Sequence, residues 1–164
     1  MQEKQNNTGL IWFRNNLRTK DNALLTKAVE SCNKVIAVYF FDPKYFKIDT
    51  FGFQKTTKYR AKFLIDTVAD LKKNLADLNI TLLTYFEIPE NRMSSLCDVF
   101  SIDSVFTQKE WTSEEVDTNE SIKKSLSPSI QFIEEYDQFL YHPETVSKNF
   151  SNIPDVFTQF RKKL

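Results

Sequence analysis

The chain has 164 residues, of which 41% are apolar, and this length and composition suit one globular domain with a substantial buried core. It carries 22 basic and 22 acidic residues. This balance argues against a surface dedicated to DNA or to an anionic membrane, since either requires a basic surplus. The two cysteines, Cys32 and Cys97, lie far apart in the sequence and indicate a reduced compartment and no metal site.

Residues 1–8 are polar, lack the apolar core of a signal peptide and are predicted to be disordered. Further along, the longest unbroken apolar run is Val35–Phe41, which is too short to span a membrane. These two features predict a cytoplasmic protein that makes no membrane contact.

The apolar run Gly9–Phe13 ends in the basic, polar segment Arg14–Arg18. The pattern predicts a buried strand whose carboxyl end opens into a loop, which is where ligands bind in an open α/β sheet. No glycine lies between Leu10 and Phe51, whereas a turn that cradles phosphate needs glycine so that the backbone can approach the phosphate. This loop is therefore not predicted to be an ordinary nucleotide site.

Short apolar runs bounded by polar residues predict the strands, and helical periodicity fills the segments between them. The predicted strands are Gly9–Phe13, Lys34–Phe41, Thr81–Phe86, Ser104–Thr107 and Ile130–Tyr136. Asn22 is predicted to cap the first helix and Pro89 to begin the third. The hydroxyl of Thr112 is predicted to cap the fourth helix, ahead of two acidic residues that favour the positive helix end.

The second helix is predicted to be the longest, over about residues 57–78. Its apolar residues step by three and four and predict one stripe that packs on the sheet: Ala61, Leu64, Val68, Leu71, Leu75 and Leu78. Strands that alternate with helices predict an α/β fold. We expect a Rossmann-like, five-stranded, mostly parallel sheet with helices on both faces, formed by residues 9–137.

The pattern changes after residue 137. Residues 139–152 are predicted to be irregular chain around Pro143, and residues 153–164 to form a short helix without a place in a finished α/β core. Residues 138–164 are therefore predicted to begin a linker, and the chain to be the first part of a larger protein. The fifteen phenylalanines also predict that some aromatic side chains face a ligand or a partner domain.

Four sequence motifs resemble the photolyase/cryptochrome family. Trp12–Arg18, with Asp21 and Asn22, is similar to the opening motif of that family. The other three resemble the cryptochrome DASH branch: Phe51–Thr56 with Arg60, Phe63 and Leu64; Gln108–Glu110 with Thr112–Glu115; and Leu140–His142 with Pro154–Lys162. Together they keep the order and spacing of the family from about Gly9 to Lys163.

The resemblance implies an N-terminal α/β domain that holds a light-harvesting antenna, usually methenyltetrahydrofolate. In the family, a separate C-terminal helical domain holds FAD and contacts DNA, and excited reduced FAD donates an electron to a cyclobutane pyrimidine dimer. DASH members favour dimers in single-stranded DNA or act as blue-light receptors. The helical domain is not in this chain, so we assign no catalytic residue to it and expect no repair by the chain alone.

The resemblance also implies two sets of site residues. The antenna-binding set is Glu110, Gln108, Lys109, Phe41 and Asn16, and the interdomain or structural set is Arg14, Arg18, Asp21, Asn22 and Arg60. Glu110 aligns with the glutamate that binds the pterin head of the folate, where an ionised carboxylate accepts two parallel N–H bonds. Asn16 departs from the aspartate that is common in the family, and this change removes a charge while it keeps an acceptor.

Several alternatives stay open from the sequence. Glu110 could be a solvated acid near a helix start, and Arg14 and Arg18 could bind the tail of the folate or brace the missing domain. Alternation directs Trp111 away from Glu110, although stacking on a pterin is the competing interpretation. His142, the only histidine, has no nucleophile at a suitable spacing. The domain itself could bind the antenna, serve as a structural half that docks on a helical FAD-binding partner, or be an unrelated nucleotide enzyme.

Overall fold

The protein is an α/β sheet structure, seen here in a computed structural model that describes residues 7–163. Its strands are β1 (Thr8–Phe13), β2 (Lys34–Phe40), β3 (Thr81–Tyr85), β4 (Ser104–Gln108) and β5 (Gln131–Glu135). They pair in the order β3-β2-β1-β4-β5, and all four pairings are parallel. The predicted Rossmann-like fold is confirmed, with a sheet that is wholly rather than mostly parallel.

One helix joins each strand to the next. These helices are α1 (Ala23–Ser31), α2 (Lys58–Ala76), α3 (Pro89–Phe100) and α4 (Ser113–Ser125). A short 3-10 turn, Pro43–Phe46, follows β2. None of the helices within residues 7–163 is both long and apolar enough to cross a bilayer.

Side chains of β1 alternate between the two faces of the sheet, as the pleat of a strand requires. Ile11 and Phe13 pack with buried residues of α1 and α2, whereas Leu10 and Trp12 pack with buried residues of α3 and α4. Both faces are therefore covered, which explains why β1 reads as a continuous apolar run. Gly9 is required by close packing, because a Cβ atom there would lie 2.8 Å from Cys32 Sγ.

Three local predictions were wrong. Residues 143–149 form a helix, α5 (Pro143–Asn149), because proline suits a first helical turn and His142 Nδ1 accepts the Glu144 N–H at 3.3 Å. Leu78, predicted to pack on the sheet, is 52% exposed, because α2 ends at Ala76 and Leu78 no longer lies on the packed side of the helix. Thr112 occupies the N-cap position of α4 without a side-chain cap bond.

The structure describes most, but not all, of the two ends of the chain. Of the start predicted to be disordered, residues 1–6 lie outside the described residues, whereas Thr8 already belongs to β1. The predicted short terminal helix is α6 (Phe157–Lys163). The assignment of residues 138–164 to a linker stays a prediction.

Candidate functional site

The strand order reverses direction between β1 and β4, which are neighbours in the sheet. From this point the chain winds towards β3 on one side and towards β5 on the other. In open α/β sheets the carboxyl ends of such a strand pair flank a crevice where ligands bind. The candidate site is therefore built from the segments that follow β1 and β4.

The loop after β1 is fixed by the helix that follows it. Asn22 caps α1, as predicted: its Oδ1 accepts the Leu25 N–H at 3.0 Å. The Nδ2 of the same amide donates to the Arg18 carbonyl at 2.9 Å. Asp21, just before the cap, has a positive φ of 49°. One buried amide thus connects the start of α1 to the loop.

Asn16 lies in the interior of this loop and is fully buried. Its Oδ1 accepts the Arg14 backbone N–H at 3.3 Å, so the residue uses the acceptor that an aspartate would also supply. Its Nδ2 has no hydrogen-bond partner among the described residues. Asparagine therefore keeps the turn while it leaves one buried donor unpaired.

Arg14 has a buried side chain that is contacted on three sides. Its Nε lies 3.6 Å from Glu110 Oε1, and its Nη1 donates to Asn119 Oδ1 at 2.7 Å. Its guanidinium carbon lies 4.8 Å from the centroid of the Trp12 ring. These contacts connect the end of β1 to the end of β4 and to helix α4.

Glu110 follows β4 and is 7% exposed. Burial raises the pKa of its carboxyl, Arg14 lowers the pKa, Glu115 raises it, and the amide of Gln138 lowers it, with a net upward shift. Its Oε1 has no hydrogen-bond donor within the described part of the chain. Glu110 is therefore a buried acceptor with a counter-charge beside it and unused hydrogen-bonding capacity.

The residues on either side of Glu110 alternate between the interior and the surface. Gln108 is 1% exposed, and its Oε1 also lacks a donor among residues 7–163. Lys109 is exposed and its Nζ lies 4.9 Å from the ring centroid of Tyr136. Trp111 is exposed, as the predicted alternation away from Glu110 requires, and its ring contacts Phe139. The end of β4 thus supplies two buried acceptors.

Arg18 contacts the segment after β5. Its Nη2 lies 3.3 Å from Asp137 Oδ2 and donates to the Asp137 carbonyl at 3.3 Å, which connects the loop after β1 to the segment after β5. Burial raises the pKa of Asp137 and Arg18 lowers it, with a net upward shift. Arg14 and Arg18 therefore both hold the carboxyl edge of the sheet together.

A cavity of about 290 Å³ opens at the carboxyl ends of β1 and β2. Its wall is aromatic, and it includes Tyr39, Phe41, Tyr45, Phe46 and Phe63. The basic residues on the wall are Arg14 and Arg60. Burial raises the pKa of Tyr39 to about 12, so this phenol is neutral at physiological pH. The cavity suits a flat ligand that carries negative charge.

The structure divides the predicted antenna-binding residues between two places. Phe41 lines the cavity, whereas Asn16, Gln108, Lys109 and Glu110 are not on its wall. Arg14 touches both places, since it lines the cavity and lies beside Glu110. Arg60, from the interdomain set, lines the cavity and donates from Nη1 to the Lys55 carbonyl at 3.3 Å.

Sequence reasoning missed Asn119. This amide is buried on α4, where it accepts from Arg14 and donates from Nδ2 to Glu134 Oε1 at 2.8 Å. Its position offered a signal, because it lies three residues before the buried Ile122 on one face of the helix. An asparagine at a core position of a helix is unusual and indicates a specific hydrogen bond.

Within residues 7–163 no group of three or more histidine, cysteine, aspartate or glutamate side chains is arranged to hold a metal ion. His142 uses its Nδ1 as a helix cap. What the carboxyl edge offers instead is hydrogen-bond acceptance, positive charge and aromatic surface, which together suit the binding of an organic ligand.

Comparison with known proteins gives a consistent result. The family model for DNA photolyase matches residues 9–164. Cryptochrome DASH from Gloeobacter violaceus is 36% identical over 158 residues, and the chloroplastic/mitochondrial cryptochrome DASH from Arabidopsis thaliana is 36% identical over 161 residues. The crystal structure of a Synechocystis cryptochrome superposes with a TM-score of 0.88 at 32% identity and covers 98% of this chain.

These matches extend over nearly all of this chain but over only part of its relatives. The alignments cover 96% and 94% of this chain, and 32% and 28% of the Gloeobacter and Arabidopsis proteins. The structural match covers 34% of the Synechocystis chain. The chain thus spans about a third of the length of the proteins that it resembles.

Proposed function

The chain belongs to the DNA photolyase family, and from this premise we propose that it is the antenna-binding α/β domain of a cryptochrome DASH-like blue-light flavoprotein. Its ligand is methenyltetrahydrofolate, bound at the carboxyl edge of the sheet. In the intact protein, residues 9–137 form this domain and residues 138–164 begin the linker to a helical domain that holds FAD and contacts DNA.

The observation that carries the proposal is the unpaired Oε1 of Glu110. A buried carboxylate oxygen without a donor is costly, and a ligand N–H removes that cost. The pterin head of the folate presents its 2-amino group and the adjacent ring N–H side by side, which matches the two oxygens of one carboxylate. The residues present therefore fit this group, and Arg14 supplies a positive charge that lowers the pKa of the carboxyl and so favours the ionised acceptor.

Light absorption and electron transfer belong to the chromophores. Methenyltetrahydrofolate supplies near-ultraviolet absorption when bound, and the part of this chain is to bind and orient it. In the intact protein, repair of pyrimidine dimers or photoreception requires FAD in the helical domain.

The test is a titration with methenyltetrahydrofolate, followed by the absorbance and fluorescence of the bound folate. Glu110→Gln keeps the shape of the side chain but replaces one acceptor oxygen by a donor, so we expect at least about tenfold weaker binding. Glu120→Gln is the matched control, because it makes the same change at an exposed position on α4. Equal affinities of the wild-type and Glu110→Gln proteins would contradict the proposed site.

A second candidate function is a structural half that docks on a helical FAD-binding partner and binds no ligand alone. It is favoured by large exposed apolar side chains in the segment after β2 and on one side of the first turns of α2, which we call the aromatic face: Ile48, Phe51, Phe53, Tyr59 and Phe63. A concentration of this kind is typical of an interaction surface. No saturable folate binding by the wild-type chain, up to millimolar concentration, would favour this alternative.

A further inference from the structure

We infer that Arg14 is the positioning residue that compensates the charge of the Glu110 carboxylate while it leaves the acceptor positions of that carboxylate unoccupied, and that Asn119 fixes Arg14 in that role. The inference rests on the proposed function, because it concerns the acceptor that would bind the pterin. It adds a mechanism by which protonation regulates that acceptor.

The distance between the two charged groups is the first argument. Arg14 Nε lies 3.6 Å from Glu110 Oε1, which is within the range of an ion pair but beyond a normal N–H···O hydrogen bond. Arg14 therefore compensates the charge of the carboxylate without occupying its acceptor positions. A direct, bidentate pair would have left less capacity for a ligand.

The second argument is the way in which Arg14 is held. Asn119 accepts from Arg14 Nη1 at 2.7 Å and donates to Glu134 Oε1 at 2.8 Å, so both ends of the buried amide are used and its orientation is defined. The Trp12 ring covers the guanidinium at 4.8 Å. Both contacts stabilise the cation at this distance from Glu110 and away from solvent.

The third argument is the balance of groups around Glu110. Arg14 reaches it from the loop after β1, Glu115 from α4 and the uncharged Gln138 from the segment after β5. Burial and Glu115 both favour the protonated form, and Arg14 is the only full positive charge among these groups that opposes them. A protonated Glu110 would carry an O–H donor and would face the N–H donors of the pterin unfavourably.

The experiment is a pH titration of the Glu110 carboxyl carbon by NMR in the ligand-free chain, assigned with Glu110→Gln. Arg14→Met removes the charge while it keeps much of the side-chain bulk, and we expect the titration midpoint to rise by about one pH unit or more. Arg14→Lys retains a charge and is expected to recover most of this shift. Arg18→Met is the control, because Arg18 lies in the same loop but pairs with Asp137.

Asn119→Ala provides a second variant in case Arg14→Met does not fold. It removes the acceptor that holds the guanidinium, and we expect a smaller rise of the midpoint. A midpoint that is unchanged in the folded variants, or that moves equally in Arg18→Met, overturns the inference.

A folate titration against pH separates this inference from the proposed function. In the wild type, binding should weaken as the pH falls through the Glu110 midpoint, and in Arg14→Met the same loss should occur at higher pH. If folate does not bind at all, the proposed function fails while the NMR midpoints still decide the role of Arg14. If folate binds with the same pH profile in both proteins, Arg14 does not regulate the acceptor.

Discussion

The residues at the carboxyl edge of the sheet differ in how well the sequence predicts them. Glu110 and Arg14 lie in recognisable motifs, and both are buried and face each other. Asn119 lies outside those motifs, and its hydrogen-bond partners come from other parts of the chain. A hydrogen bond between residues 105 positions apart leaves no local pattern in the sequence, so it was found only in the structure.

Tyr39 provides a test of burial at the level of one residue. Burial raises its pKa to about 12 from an ordinary 10.0, Tyr45 raises it further and Arg60 opposes the shift. The unfolded chain releases this proton near pH 10 and the folded chain near pH 12. The contribution of the protonated Tyr39 phenol to the free energy of unfolding is therefore complete below pH 10 and is lost as the pH rises through 12.

Between pH 9 and pH 12, the free energy of unfolding should fall less in Tyr39→Phe than in the wild type. We expect the difference between the two proteins to reach up to about 2 kcal/mol. The measurement is the free energy of unfolding from urea denaturation at several pH values. Tyr59→Phe is the control, because Tyr59 is 82% exposed on α2 and this substitution removes a phenol that burial does not affect. If the free energy of unfolding depended on pH in the same way in Tyr39→Phe and in the wild type, the Tyr39 phenol would not be the cause of the alkaline loss of stability.

At the level of elements, the hydrophobic period predicted the five strands and four connecting helices because these signals are local and strong. The errors came where a local signal competes with context. Thr112 has the residue type of a cap but makes no cap bond, whereas Asn22 makes two kinds of contact. Residue type therefore indicates where a helix begins, but tertiary contacts decide what the cap contributes.

This difference predicts unequal effects of two similar substitutions. Asn22→Ala removes the bond to the Leu25 N–H and the bond to the Arg18 carbonyl, both in buried or partly buried surroundings. We expect a loss of about 1–2 kcal/mol in the free energy of unfolding. Thr112→Ala, at the cap position without a side-chain bond, should cost only a few tenths of a kcal/mol by the same reasoning. Equal losses in urea denaturation would contradict this account.

At the level of the whole molecule, the sequence predicted a ligand site at the carboxyl end of β1 but not the other walls of the cavity found there. One wall consists of the segment after β2, from which two lysines form exposed ion pairs with distant helices. Lys44 Nζ lies 2.8 Å from Glu90 Oε1 on α3, and Lys55 pairs with Glu114 on α4. Neither pairing follows from periodicity. The surplus of phenylalanine did predict exposed aromatic side chains, and the aromatic face lies in this segment and in the first turns of α2.

The aromatic face leads to a prediction about the chain in solution. Large exposed apolar side chains that act as one surface bind hydrophobic dyes and partner surfaces, whereas scattered apolar side chains do so weakly. We therefore expect the native chain to bind the dye ANS, and the combined substitution Phe51→Ser, Phe53→Ser and Phe63→Ser to remove most of that fluorescence. Because these side chains are largely exposed, the free energy of unfolding should change by less than about 1 kcal/mol.

The matched control places three serines at exposed apolar positions in different parts of the fold, namely Leu78 after α2, Val99 on α3 and Leu140 before α5. If the aromatic face acts as one surface, this control should keep the dye signal of the wild type. A similar loss in both triple variants would mean that the dye senses total apolar exposure. In a longer chain that carries the helical domain, the same three phenylalanines should become protected, so that ANS binding falls without any substitution. Continued dye binding by that longer chain would exclude the aromatic face as the docking surface.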